Sequence, residues 1–213
     1  MKKHLMIILV LCCAINLIAQ KHLELKSWTG ISYETKFKIK KQKFKLGIDQ
    51  QVRISDLVYN TRVSALTQVE VSKKITDFYK IGLSYRLSYI NRLRNRLSLN
   101  NSFKVEKDIL SVNFRLRYQA EFEKNNPFAQ EVRLKTTFKF DADKDYRPYF
   151  FGEIFYLNTS GFSNINEYRA GIGLDADYKK KHQFNFMLMY SQELNMERPG
   201  KSLVLGLFYT FAK

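Results

Sequence analysis

The sequence predicts an all-β chain folded as a single antiparallel transmembrane β-barrel, and three observations carry that reading. Apolar and polar residues alternate with period two over most of the chain, the alternating runs are long, and short connections take turns with longer ones. No run of helical period competes. After Ile18 no stretch is long and apolar enough for a spanning helix, so any crossing of a bilayer must use strands.

Taken in order, a long stretch covers 23–39 and a weaker alternation covers 44–54. Val63, Ala65, Thr67, Val69 and Val71 then stand out of phase with Arg62, Ser64, Gln68, Glu70 and Ser72. Tyr79, Ile81, Leu83, Tyr85, Leu87 and Tyr89 oppose Lys80, Gly82, Ser84, Arg86 and Ser88. A weaker run at 97–105 precedes Leu110 to Ala120, whose apolar residues face away from Asn113, Arg115, Arg117, Gln119 and Glu121. Val132, Leu134, Phe138 and Phe140 oppose Glu131, Arg133, Lys135 and Lys139. After a weaker run at 148–157, Tyr168, Ala170, Ile172, Leu174, Ala176 and Tyr178 oppose Glu167, Arg169, Asp175 and Asp177. Residues 184–190 alternate weakly, and the last segment sets Leu203, Leu205, Leu207, Tyr209 and Phe211 against Ser202, Gly206 and Thr210.

Short basic turns fall at 40–43, 73–76, 106–108, 141–145 and 179–182, and longer loops near 55–61, 90–95, 122–129, 157–166 and 192–200. Short periplasmic turns alternating with longer outer loops is the habit of an outer-membrane barrel. Eleven segments are counted. A single-chain barrel with both ends of the chain in the periplasm has an even number, so the expectation is about 12 strands, with 10 possible. The first stretch, 23–39, then holds two crossings broken near Gly30, or one crossing is miscounted.

The chain opens Met1-Lys2-Lys3-His4, runs apolar from Leu5 to Ile18, and then offers Ala19-Gln20. A charged start, a short apolar run and a small residue at its end read as a cleavable export signal over 1–19, leaving 20–213 as the barrel. Cys12 and Cys13 leave with it, so the mature chain has no thiol and no disulfide. Lys2 and Lys3 leave too and no acid does, which takes the formal charge from +16 to +14.

Alternation does not say which face meets the core. Three features favour an apolar face turned to lipid. The polar face is crowded with charge, notably Arg53, Arg62, Arg86, Arg96, Arg115, Arg117, Arg133 and Arg169. Tyr79, Tyr89, Tyr118, Tyr168, Tyr178, Tyr190 and Tyr209 sit near the ends of apolar stripes, where amphipathic rings favour headgroup depth. The chain finishes on an aromatic strand, Tyr209-Thr210-Phe211, of the kind the barrel-assembly machinery reads. The mean hydropathy of −0.34 is compatible, because half of each strand faces a polar lumen. The competing fold is a secreted soluble β-barrel or sandwich with a solvated basic face.

The ordered landmarks Trp28-Thr29, Asp49-Gln50-Gln51-Val52-Arg53, Gly82-Leu83-Ser84-Tyr85-Arg86, Phe114-Arg115-Leu116-Arg117-Tyr118 and Glu131-Val132-Arg133-Leu134 continue into Pro148-Tyr149, Glu153-Ile154-Phe155 and Tyr168-Arg169-Ala170-Gly171-Ile172-Gly173. This series, over nearly the whole mature chain, resembles the uncharacterised bacterial outer-membrane barrels grouped as domain of unknown function 2490. The resemblance implies an outer-membrane barrel and brings no activity with it.

Chemistry is expected in the lumen. The candidate residues are Arg53, Arg86, Arg115, Arg117, Arg133 and Arg169 with Glu121, Glu131 and Glu153. Acids and arginines in a narrow barrel either pair into an interior network that specifies the fold or leave an arginine-biased passage for anions, since the planar guanidinium fork matches carboxylate and phosphate. Catalysis is the third option, as a lumen hydrolase or acyltransferase. It lacks a well-placed histidine, because only His22 and His182 lie beyond the signal. Asp175 and Asp177 are two residues apart on one face, where they more simply accept bonds from arginines. Met187 and Met189 are expected to fill the lumen, and no cofactor or metal constellation is expected. The Lys-rich turns suit outer-membrane lipid headgroups rather than nucleic acid. Oligomeric state is left open.

Overall fold

The computed structural model describes residues 23–57, 61–90, 92–123, 128–141, 145–159, 161–179, 181–197 and 199–213. The segment expected as an export signal therefore lies outside the described residues. Eleven strands follow in chain order: β1 (Leu23–Ile39), β2 (Gln42–Ser55), β3 (Arg62–Lys74), β4 (Tyr79–Ile90), β5 (Arg92–Lys107), β6 (Leu110–Glu123), β7 (Ala129–Phe140), β8 (Tyr146–Thr159), β9 (Phe162–Tyr178), β10 (His182–Glu193) and β11 (Lys201–Ala212). They run from 12 to 17 residues, long enough to cross a bilayer at a tilt.

Each strand pairs antiparallel with its neighbours in sequence, and the sheet closes by pairing β1 with β11. The closing pair is parallel and continuous, from Leu23 beside Lys201 to Glu34 beside Ala212. The eleven segments counted in the sequence are the eleven strands, inside the expected range of ten to twelve. The parity argument assumes an antiparallel closing pair; a parallel one closes an odd sheet. Accordingly β1 runs uninterrupted through Gly30 as one crossing. It begins at the end of the barrel that carries the longer loops, and β11 finishes at the end that carries the tight turns.

The alternation of connections holds most clearly at 56–61 and 194–200. At residue 91 and at 160–161 the strands run on almost to each other, because polar residues such as Arg92, Arg94 and Asn158 keep the two-residue period going past the apolar stripe. One irregularity interrupts the ladder. Phe155 faces Glu167 while Tyr156 faces Ile165, so β9 carries an extra residue there and both Tyr156 and Ile165 turn outward.

Among the described residues, the registers set the charged residues of the spanning strands inward between the two aromatic rims, except Lys73, which lies on the outer face beside the Phe44 ring. The outward positions form an apolar belt in which Leu83 is 54%, Ile154 49% and Ile172 58% exposed. Rings close the belt at both ends. Phe37 stacks on Phe44 and Tyr79 on Phe103 at the turn end, and Phe122 meets Phe128 and Tyr168 meets Tyr190 at the loop end. Tyr79 and Tyr89 bracket the belt on β4 as Tyr168 and Tyr178 do on β9. At ~3.3 Å per residue and a tilt near 40°, each pair is roughly 25 Å apart along the barrel axis, the height of an outer-membrane apolar band.

Inside, β8, β10, β11 and β1 contribute an apolar cluster. Phe151, Met189 and Val204 are buried together, with Trp28, Tyr149 and Met187 packed against them. Glycines on β9 make room for the rings: a Cβ on Gly171 would stand 2.7 Å from Phe151 Cε1, and one on Gly173 2.3 Å from Tyr149 Cζ and 2.6 Å from the Phe186 carbonyl oxygen. Gly47, also inward, has nothing within 4 Å of the same position. Gly173→Ala is therefore expected to cost about 1–3 kcal/mol through overpacking. Gly47→Ala should be neutral or slightly stabilising. The check is the urea midpoint of each folded variant, followed by its gel mobility before boiling; equal midpoints for the two would contradict the packing.

Candidate functional site

Because side chains alternate, the residues that share the lumen are fixed by the registers. One hydrogen-bonded row carries Ser32, Asp49, Gln68, Arg86, Arg96 and Glu121 across β1 to β6. Another carries Asn100, Arg117, Arg133, Phe155 and Glu167 across β5 to β9. A third carries Arg115, Lys135, Glu153, Arg169 and Ser191 across β6 to β10. The central cavity they surround has a volume of about 630 Å³. Arg53, Arg86, Arg115, Arg117, Arg133, Arg169, Glu131 and Glu153 all stand on its wall. Glu121 is not on that wall but pairs with Arg96, which is. A second chamber of about 770 Å³ opens at the turn end among Lys74, Lys80, Lys104, Lys139 and Arg147.

The lumen acids are engaged by partners inside the barrel. Glu153 lies 3.0 Å from Arg133 and 3.6 Å from Arg115, with the Glu153 and Arg133 side chains only 5% and 10% exposed. Glu121 takes Arg96, and Arg94 stands 3.7 Å away. Glu167 takes Arg169 at 2.6 Å and a hydrogen bond from Ser191. Glu131 accepts from Gln119, Asp49 from Ser32 and, more weakly, Glu70 from Asn100 at 3.4 Å. Asp175 and Asp177 do not face one another as a catalytic pair: Asp175 is held by Lys139 and Asn185, Asp177 by Arg147 at 2.5 Å and Gln183 at 2.9 Å. His182 is on the outer face of the barrel, its Nδ1 2.7 Å from the Tyr209 hydroxyl.

The cations divide differently. Arg86 donates two hydrogen bonds to the amide oxygen of Gln68, at 3.0 and 2.6 Å. Arg117 donates from Nε to Asn100 Oδ1 at 2.5 Å, and Arg53 donates to Gln51 Oε1 at 3.0 Å. Lys135 Nζ stands 3.8 Å over the ring of Phe151. Among the described residues, none of these four cations has a carboxylate within ion-pair distance. An amide oxygen orients a guanidinium without cancelling its charge, so the lumen wall keeps a surplus of positive charge.

The rings missed by the sequence reading complete the site. Arg53 lies 4.1 Å and Arg169 5.5 Å from the Trp28 ring centroid, while Arg169 and Arg133 are each 4.3 Å from that of Phe155. The result is a stack of alternating guanidiniums and rings, Arg53–Trp28–Arg169–Phe155–Arg133, that links β2 and β1 to β9, β8 and β7 across the lumen. The signal was present in the phase: Tyr149, Phe151 and Phe155 keep step with Arg147 and Glu153 and run against Phe150 and Ile154. Met187 and Met189 line the lumen as read. Among the described residues no group of three or more His, Cys, Asp and Glu is placed to hold a metal ion.

The Glu153–Arg133 pair is the most buried ion pair of the lumen. Glu153→Gln is expected to destabilise the barrel by about 3 kcal/mol, because it leaves Arg133 with only the more distant Glu131, 3.9 Å away. Arg133→Met combined with Glu153→Met should restore much of the loss. Chemical unfolding of the detergent-folded variants measures both, and a neutral Glu153→Gln would show that the pair is solvated.

Two solved structures are similar to the chain, a KdgM porin at a TM-score of 0.45 and the KdgM porin in complex with disordered oligogalacturonate at 0.44. Each is 17% identical over 81% of this chain and 94% of the other. No curated protein matches the sequence. Residues 25–199 match the family model described as protein of unknown function (DUF2490), and the chain belongs to that family.

Proposed function

We propose that the chain is an integral outer-membrane β-barrel whose lumen acts as a small passive passage with a preference for anions. Placement in a membrane is supported by the inverted amphipathic pattern: charge inside, an apolar belt outside and aromatic rims about a bilayer's apolar height apart. A soluble barrel turns its apolar face inward, so a secreted soluble binding barrel draws less support. Assembly through the last strand is consistent with its outward rings, since Phe211 meets Tyr33 and Tyr209 meets Phe184 on the lipid side.

The observation that carries the anion preference is the surplus of cations. Lumen acids are matched by partners, while on one continuous cavity wall Arg53, Arg86 and Arg117 have, among the described residues, no carboxylate within ion-pair distance. A positive lining lowers the barrier for anions and raises it for cations. The ion pairs and the guanidinium–ring stack narrow the lumen, so the passage is small and part of the same network holds the barrel in shape. A lumen hydrolase or acyltransferase draws less support, because the paired aspartates and His182 occupy different environments.

Two measurements test this reading. The purified protein should need detergent and migrate differently before and after boiling; a detergent-free monomer with a single mobility would end the membrane proposal. In planar bilayers it should conduct with chloride favoured over potassium. Arg86→Gln with Arg117→Gln should lower that ratio by roughly a factor of two or more. Silence at every voltage would remove the passage and leave a structural barrel.

A further inference from the structure

Opposite residues on neighbouring strands sit with Cβ atoms about 4.5–5.5 Å apart, and like charges there are destabilising. The lumen nevertheless sets Arg86 directly across from Arg96, Arg117 across from Arg133 and Arg115 across from Lys135. The three pairs lie on four consecutive strands, β4 to β7, and face the one central cavity. In each pair one member is drawn off by an acid, Arg96 by Glu121, Arg133 and Arg115 by Glu153. Their partners Arg86 and Arg117 are held by the neutral amides of Gln68 and Asn100, whereas Lys135, over the Phe151 ring, faces Glu153 across the next ladder.

A side chain kept only to balance an interior acid would have the acid as its partner. Amide partners fix the orientation of a guanidinium and leave its charge for something else. Two such charges, on β4 and β6, exceed what one monovalent ion can satisfy at once. We infer that this wall is a binding site for a multivalent oxyanion, a molecule carrying two or more carboxylate or phosphate groups, with Arg86 and Arg117 as its contacts. The inference rests on the anion-preferring lumen and adds saturable recognition to it: the planar guanidinium forks favour oxyanions over halide, and two fixed charges favour two on the ligand.

The protein carries a reporter for this site, because its one tryptophan, Trp28, stands on the same cavity wall under Arg53. Tripolyphosphate and citrate are the probes, with sodium acetate and sodium chloride at matched ionic strength as controls. A saturable change in Trp28 fluorescence is expected with at least one probe, at concentrations tenfold or more below any effect of acetate or chloride. The tighter probe identifies phosphate or carboxylate as the preferred group. Arg86→Lys with Arg117→Lys keeps the charge and removes the forks; it should weaken binding at least fivefold while chloride preference in bilayers persists. Lys104→Gln, in the turn-end chamber, should leave binding unchanged. Equal responses to probes and controls at equal ionic strength would overturn the site without touching the anion-preferring passage. Full affinity in the doubly substituted protein would overturn the assignment to these arginines. Should that variant not reach its fast-migrating folded form, each single Arg→Lys change decides on the same criterion.

Discussion

The structure depends first on closure of the sheet. An unpaired backbone N–H or C=O facing hydrocarbon costs several kcal/mol, so a strand array in a bilayer survives only when no edge is left. Here the closing contact is the parallel β1–β11 pair, extended at the turn end by a hydrogen bond from the Lys213 amide to the Glu34 carbonyl. At the other end the Leu57 amide donates to the Leu25 carbonyl, which ties the loop after β2 to the start of β1. Closure fixes register, and register fixes faces. A slip of one residue in any pair would turn Arg86, Arg117 or Arg133 toward lipid and Leu87, Leu116 or Leu134 into the lumen. The charge inside and the apolar belt outside are thus two consequences of one set of pairings.

A parallel pair is slightly weaker per residue than an antiparallel one, and the interior behind this seam is built accordingly. Trp28 lies beside Gly206 and Gly30 beside Phe208 across it, and Val204 is almost wholly buried. The apolar interior cluster thus stands behind the closing pair, with Met187 and Met189 of β10 and the rings of β8 packed on it. The arginine wall occupies the opposite arc, β4 to β7, where the pairs are antiparallel. Burial of Trp28, Val204 and Met189 stabilises the contact that closes the barrel, and the repulsion among arginines falls on the stronger ladders. The stack through Trp28, Arg169 and Phe155 joins the two arcs, so the lumen is braced as well as lined.

One residue type plays three parts inside, and the partner decides which. Arg96 and Arg147 are neutralised by acids and belong to the scaffold. Arg133 and Arg169 combine an acid with a ring, which spreads their charge over an aromatic face and fixes them as braces. Arg86 and Arg117 are positioned by amides and stay electrically available. Glutamate in place of Gln68, or aspartate in place of Asn100, would give the same geometry with the charge cancelled. The choice of an amide at both positions is what separates this lumen from a purely structural salt network.

The sequence made the faces legible because alternation is local: Arg115 and Arg117 must share a side of β6, and Leu116 must take the other. It also made the segments legible, down to the count of eleven. Closure was not, since whether β1 meets β11 in parallel depends on the whole sheet and on no residue within either strand. The inward rings at Tyr149, Phe151 and Phe155 were hidden by their outward neighbours Phe150 and Ile154, which fill both faces of β8 with apolar residues and blur the period. Partners were the least legible, because the stagger between strands decides them. Arg86 meets Arg96 rather than Ser98 because Tyr85 pairs with Leu97, and a register two residues different would have given the same alternation with another set of ion pairs. The composition of the lumen is therefore written in each strand, whereas its electrostatics come into being only when the ladder sets one strand against the next.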